Sequence, residues 1–475
     1  MNIKNTLPLI AMLLQVLGSA CEKHNKNTAD SSIQIPNSKN GTAEVSFIRG
    51  YPNPLGPVGA DPGVILTNGT YYYYCTSGNS TGAMPIKWSS DLTNWTDNGA
   101  RIFPLGQFPA WVNGGNYWAP EVHLINGQYV CYYSAKGADG WFKIGVATSP
   151  NPTGPFTDKG GPLASNSRYS LIDPTFFRDP NTGKNYVLWK NNTNALNPPE
   201  QTHIVLQEVT QDGLSLLGSS TKILGNTLAW EGLVVEAPTM TYRNGYYYLF
   251  YSGNNYGTDQ YAVGVARSTT IAGPYTKKSA PILTSDSQFD GPGGQCIINN
   301  SPLSPYLMFY HARLRSNPDG GRYLMMDKVN WGADNWPIIS RDYIVDNAEA
   351  GFSASSNWLV GTAGADKYKT SYHYRQTLSG SPDRASFTAN TSGIGDYDIY
   401  AWWSVGTAGN RTPEAHYFIP GGQEVIVDQR INGGKWNYLG TVRFTVPGDH
   451  TVQLAAGGPA GYAVIGDAIM MSGPK

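Results

Sequence analysis

The sequence predicts an all-β protein, a five-bladed β-propeller followed by a β-sandwich. Three observations predict it: an aromatic phrase occurs five times, each copy follows a turn signal or opens a run of β-formers, and the rhythm stops near residue 343. The copies are "NGTYYYYCTSG" from Asn68, "NGQYVCYYSAKG" from Asn126, "GKNYVLWKN" from Gly183, "NGYYYLFYSG" from Asn244 and "SPYLMFYHAR" from Ser304. Aligned on Tyr71, Tyr129, Tyr186, Tyr247 and Tyr306, they are spaced by 58, 57, 61 and 59 residues by subtraction. Such a period is too long for a helical solenoid. Asn-Gly or Gly-Lys ahead of β-forming residues reads as a strand leaving a hairpin turn. A unit of several short strands cannot bury its faces alone, whereas radial repetition of four-stranded sheets can. An ordinary sandwich of five aromatic strands is the weaker alternative.

From the N-terminus, Lys4, the apolar run Leu7 to Leu17 and "GSAC" ending at Cys21 have the anatomy of an export signal over residues 1–20. Cys21 leaves two alternatives open, ordinary cleavage before it or lipidation of it, the latter giving an anchor and not a span. The expected location is outside the cytoplasm: secreted, periplasmic or a cell-surface lipoprotein. Residues 21–45 are polar and read as a flexible linker. The propeller is expected over 46–342 and the sandwich over 343–475. No later run is long enough for a transmembrane helix. The remaining cysteines, Cys75, Cys131 and Cys296, are odd in number and lack zinc spacing, so they read as small buried hydrophobes.

A net charge of -1 argues against nucleic acid or an anionic membrane as partner. Aromatic residues make up 12% and charged residues 14%; rings that stack on sugar faces would fit that balance, and so would aromatic β cores.

In a propeller, the strand ahead of each aromatic strand lies nearer the axis. Those segments are "ADPGVI", "WAPEVH", "LIDPTFF", "VVEAPTM" and "GGQCII". Asp61, Glu121, Asp173 and Glu236 stand 10, 8, 13 and 11 residues before their tyrosines by subtraction, in roughly equivalent places on different blades. Equivalent places on inner strands converge on one axial pocket. Clustered carboxylates repel and raise at least one pKa, which keeps a general acid protonated near neutral pH. Inverting glycoside cleavage needs such an acid and a base about 6.5–9.5 Å apart, which separate blades can supply.

Over about residues 46–342 the chain resembles glycoside hydrolase family 43, a family of inverting five-bladed propellers. The resemblance rests on "ADPGV", "IDPTFF" and "VEAPTM" in that order, with "WAP" at Trp118 and "FYHAR" at Phe309. It implies Asp61 as general base, Asp173 as the residue that tunes and orients the acid, and Glu236 as general acid. It also places His311 at the pocket base, beside water or a cation such as Ca2+, held directly or through water; no other cofactor is implied. A satisfied core histidine is the second reading of His311.

A single Asp before Pro usually shapes a turn, and the repeat register is what favours a catalytic reading of Asp61 and Asp173. Glu121 reads as structural or substrate-edge, and Asp179 in "FRDPNTG" as a turn residue. Trp111, Trp118 and Trp230 either line a sugar subsite or fill the core. Arg313 and Arg322 are candidates for binding hydroxyls or a carboxylate.

Beyond residue 343, "VDNAEAGF", "YDIYAWW", "GGKWNYLGT" and "YAVIGDAI" resemble the golvesin C-terminal domain, which implies a carbohydrate-binding or stabilising accessory module. Trp402, Trp403 and Trp436 either form a sugar platform or only pack, and at most one of the adjacent pair can be exposed because neighbours on a strand face opposite sides. Together these likenesses imply a monomeric, exo-acting or debranching inverting glycosidase of plant cell-wall polysaccharide, α-L-arabinofuranosidase ahead of β-xylosidase. Rivals are a galactan-active hydrolase, a retaining fructan-active propeller and a non-catalytic glycan-binding propeller.

Overall fold

A computed structural model describes residues 51–475 except 52, 300, 302, 407 and 408. The export signal, the polar linker and Cys21 lie outside the described residues. Five antiparallel four-stranded meanders follow one another along the chain. Their first strands are Gly63–Thr67, Val112–Ile125, Leu171–Arg178, Val235–Arg243 and Phe289–Asn299. Each packs against the first strands of the flanking blades, and the fifth packs against the first, so the ring closes.

The turn chemistry sets the hairpins. Asn68-Gly69, Asn126-Gly127 and Asn244-Gly245 all have positive φ, and each joins its strands with two residues between paired positions (Thr67 with Thr70, Ile125 with Gln128, Arg243 with Tyr246). Two residues at positive φ give the turn whose twist matches that of the strands. Blade 3 instead has a longer turn between Arg178 and Asn185. Asp179 organises it by accepting from the Asn181 N–H at 3.0 Å and the Thr182 hydroxyl at 2.6 Å, and it accepts from the Tyr247 hydroxyl of blade 4 at 2.9 Å.

The aromatic strands are buried on both faces because blades pack face to face. In blade 4, Tyr247, Leu249 and Tyr251 pack on Leu188 and Leu206 of blade 3. The alternate residues, Tyr248 and Phe250, pack on Met308 and Tyr310 of blade 5. The period of two along the strand thus sends successive rings into two different inter-blade cores. Cys75, Cys131 and Cys296 are buried free thiols in this packing.

Blade 5 shares its edge. Its third strand, Tyr323–Trp331, pairs with Pro337–Ser340 at one end, while residues 55–59 take the other end through Leu55 N–H to Leu324 O (2.9 Å) and Gly59 N–H to Arg322 O (2.8 Å). From Arg341 the fourth strand, Pro337–Asp346, leaves the blade and pairs with Ala468–Gly473. At that crossing the buried Arg341 guanidinium sits among Asp327, Tyr310 and Asp286.

The C-terminal part is a β-sandwich. Pro337–Asp346, Ala468–Gly473, Gly395–Trp402 and Asn437–Phe444 form one side. Phe352–Ser353, Arg384–Thr391, Gly448–Ala455, Ala415–Phe418 and Glu424–Val427 form another sheet. Phe387, Tyr397, Trp403, Tyr417 and Met471 share the core. Of the two readings of these tryptophans, packing and a sugar platform, the structure shows packing. Trp403 is buried in that core, and Trp402 faces the other side of its strand, edge-on to Trp436 at 5.5 Å. Trp436 is itself only 3% exposed, because Tyr368 packs against it.

Candidate active site

The first strands of blades 2 to 5 break their ladders at one place, and Asp61 stands at the equivalent point just ahead of the first strand of blade 1. Asp61, Ala119, Asp173 and Ala237 have φ of 53°, 45°, 57° and 47°, and Gly294 occupies the fifth position at 60°. Proline follows the first four. At each break two residues oppose one: Asp173 and Pro174, for example, fall between the pairs Ile172 with Lys190 and Thr175 with Leu188. Such bulges bend a strand and re-aim its side chains. The left-handed backbone at a non-glycine residue costs of order 1–3 kcal/mol and clusters at functional sites.

A bulge also leaves a backbone N–H without a ladder partner. Side chains supply acceptors in a ring. Ala119 N–H donates to Thr76 Oγ1 (2.9 Å), Asp173 N–H to Ser134 Oγ (3.1 Å), Ala237 N–H to Asp173 Oδ2 (3.0 Å), Gly294 N–H to Ser252 Oγ (2.9 Å) and Asp61 N–H to His311 Nδ1 (3.1 Å).

Above this ring lies a cavity of about 210 Å³ lined by Asp61, Asp173, Glu236, Trp118, Tyr256 and Arg322, among others. Asp61 Oδ2 accepts from the Thr76 hydroxyl at 2.6 Å, and Oδ1 lies 3.5 Å from the Arg322 guanidinium. Burial pushes the Asp61 carboxyl above its ordinary value, opposed by Arg322 and Thr76. Glu236 accepts from the Tyr261 hydroxyl through Oε1 and from the Lys190 ammonium through Oε2, both at 2.8 Å. Burial, then the charges of Glu236 and Asp61, push the Asp173 carboxyl well up; Lys190 and the Ala237 N–H oppose that rise. The arrangement therefore offers one carboxyl beside an arginine and, on other blades, a carboxyl raised by burial next to a glutamate that two donors fix. These are the parts of acid–base hydrolysis.

The sequence candidates divide. Asp61, Asp173, Glu236, Trp118 and Arg322 come together on the cavity, with Trp118 stacked on Phe142 at 3.9 Å. Trp111 does not join them: it stacks on Tyr133 between blades 1 and 2 and donates to Asp158. Trp230 also stays away, packed on Tyr251 and filling the space over Gly253 and Gly264. Arg313 donates to the Tyr256 carbonyl and so anchors a loop instead of facing the cavity. Glu121 lies 3.2 Å from His123 Nε2.

His311 is fully buried, and that burial, with Arg322 and Arg313 nearby, holds its pKa well below the ordinary value, so the ring is neutral. Nδ1 accepts the Asp61 N–H, and the Arg322 guanidinium lies 3.5 Å from Nε2, so a cation on that nitrogen would face a fixed positive charge. Among the described residues no three His, Cys, Asp or Glu side chains converge as metal ligands. The residues present therefore do not fit a cation held directly by His311, and its visible work is to fix the Asp61 backbone. Thr76, Lys190, Tyr256 and Tyr261 went unnoticed in the sequence. Thr76 had a legible signal, since it sits just past the end of the aromatic strand Thr70–Tyr74.

Residues 51–337, more than half of the 475-residue chain, match glycosyl hydrolases family 43. The chain belongs to that family. This family 43 chain is a glycoside hydrolase, and its residues 343–473 match the golvesin C-terminal domain. It is 30% identical over 300 residues to extracellular endo-α-(1→5)-L-arabinanase 1 of Bacillus subtilis, covering 58% of this chain and 86% of that one. To the extracellular exo-α-(1→5)-L-arabinofuranosidase of Streptomyces avermitilis it is 26% identical, covering 62% and 64%. Among solved structures, a thermostable family 43 glycoside hydrolase aligns with TM-score 0.55 and 29% identity over 60% of this chain and 95% of that one.

Proposed function

We propose that this family 43 hydrolase removes terminal α-L-arabinofuranosyl units from plant cell-wall polysaccharide with inversion. In this reading Asp61 is the base that activates water, Glu236 is the acid that protonates the leaving oxygen, and Asp173 tunes and orients Glu236. The observation that carries the reading is that Asp61 and Glu236 line one cavity from different blades, each held by two donors. A cavity of about 210 Å³ is below the roughly 300–1,000 Å³ of pockets for larger ligands, which favours a single sugar ring and action from a chain end. The arabinan-directed names of the relatives support the sugar. Their extracellular location supports export of this chain through its N-terminal signal, and the golvesin-like part, 343–475, is read as an accessory module to the propeller.

A panel of aryl pentosides, arabinan, arabinoxylan and galactan tests this. Free arabinose is expected from arabinan from the first minutes, and aryl α-L-arabinofuranoside should turn over faster than aryl β-D-xyloside. Oligosaccharides appearing before monomer would replace end-on action with internal cutting. Galactose from galactan would favour the galactan reading, and no sugar at any pH would reduce the propeller to a binding module.

A further inference from the structure

The ring of side-chain acceptors beneath the pocket is interrupted on one blade. Ser134 pairs with Trp118, Ser252 with Glu236 and His311 with Gly293 across their hairpins, and each accepts the bulge N–H of the next blade. In blade 3 that register position, opposite Ile172, belongs to Lys190. An ammonium carries three donors and no acceptor. It cannot serve the Ala237 N–H, and Asp173 Oδ2 does so at 3.0 Å. The Lys190 side chain, 2% exposed, instead donates to Glu236 Oε2 at 2.8 Å.

We propose that Lys190 is a positioning residue for the acid: a donor standing in an acceptor's place, it turns Asp173 onto the Ala237 N–H and holds Glu236 as its buried counter-charge. The proposal rests on Glu236 being the acid. The groups facing Glu236 are Lys190 from the second strand of blade 3, Asp173 from its first strand, Tyr261 ahead of the third strand of blade 4, and Asp61 from blade 1. Arg322 and the neutral His311 lie beyond Asp61. Lys190 is thus the cation in direct contact with Glu236. Its charge opposes the rise of the Asp173 carboxyl and faces Glu236 directly, so it sets how high in pH the acid's proton survives.

The sign follows. Removing the cation makes the proton harder to lose, and the alkaline limb of kcat/KM moves to higher pH. An opposite charge at this range shifts a carboxyl by about 1–3 pH units. The test is the pH profile on arabinan, whose leaving oxygen needs the proton, for the wild-type chain, Lys190→Met, Lys190→Ser and Lys190→Arg. Met fills the volume without charge, Ser restores an acceptor for Ala237, and Arg keeps the charge. The expected result is an alkaline limb raised by about one unit or more in the neutral variants, with kcat reduced, and a limb near wild type in Lys190→Arg. A wild-type limb in whichever neutral variant folds, or an equal rise in Lys190→Arg, overturns the proposal. Glu236→Gln run alongside separates the two readings. If it keeps wild-type activity, the acid assignment fails; if it is inactive while the limb stays put, only the role of Lys190 fails.

Discussion

Glu236→Gln lowers kcat/KM on arabinan by roughly 10²–10⁴-fold, the usual range for a positioned acid. The loss is expected to be much smaller on a 4-nitrophenyl arabinofuranoside, whose leaving group departs without a proton. A merely structural role would depress both substrates alike. The amide still offers an oxygen to either Tyr261 or Lys190, which now hold the carboxylate at 2.8 Å, and a thermal melt measured in parallel separates lost chemistry from lost fold. Equal losses on the two substrates would move the acid elsewhere.

Much of the fold was legible because its cause is periodic. The tyrosine strands repeat every blade since each must fill two inter-blade cores, as Tyr247 and Tyr248 do on opposite faces. The ruler slips at blade 3, where a longer turn organised by Asp179 replaces the two-residue Asn-Gly turn. For that reason Asp173 stood 13 residues from its tyrosine while Asp61 stood 10. The bulges also refine the equivalence. Asp61 and Asp173 occupy the positive-φ position itself, whereas in blade 4 that position is Ala237 and Glu236 stands one residue earlier.

What stayed hidden depends on the third dimension. Alanine at positions 119 and 237 carries no turn signal, so the left-handed backbone there could not be read. Lys190 in "NYVLWKN" looks like an ordinary polar residue at a strand end until the hairpin register places it in the acceptor ring. Tryptophans misled for the opposite reason: Trp111, Trp230 and Trp436 have the chemistry of sugar platforms, and the fold uses their large apolar area for packing.

Asp61→Asn is expected to cost activity on the order of 10³–10⁴-fold, on natural and activated substrates alike, because a good leaving group does nothing to activate water. That pattern differs from the one expected for Glu236→Gln, and the contrast assigns the two roles. The Asn side chain keeps an oxygen for the Thr76 hydroxyl, and the backbone N–H bond to His311 does not involve the side chain. Folding should therefore persist. Near-normal turnover by Asp61→Asn would remove it from the role of base.

The raised carboxyls also fix the sense of the wild-type pH profile. Activity is lost on the acid side as Asp61, raised by burial, takes up a proton, and on the alkaline side as Asp173, raised by burial and by the carboxylate charges beside it, gives its proton up. Both limbs therefore lie above the value of about 4 expected of free carboxyls.

The central claim is direct attack of water, activated by one carboxylate, on a bond protonated by another. Proton NMR of the first arabinose released from an α-L-arabinofuranoside by the wild-type protein tests it most directly. The β-anomer should appear first and then mutarotate; the α-anomer appearing first would mean retention, a covalent intermediate and a different role for Asp61.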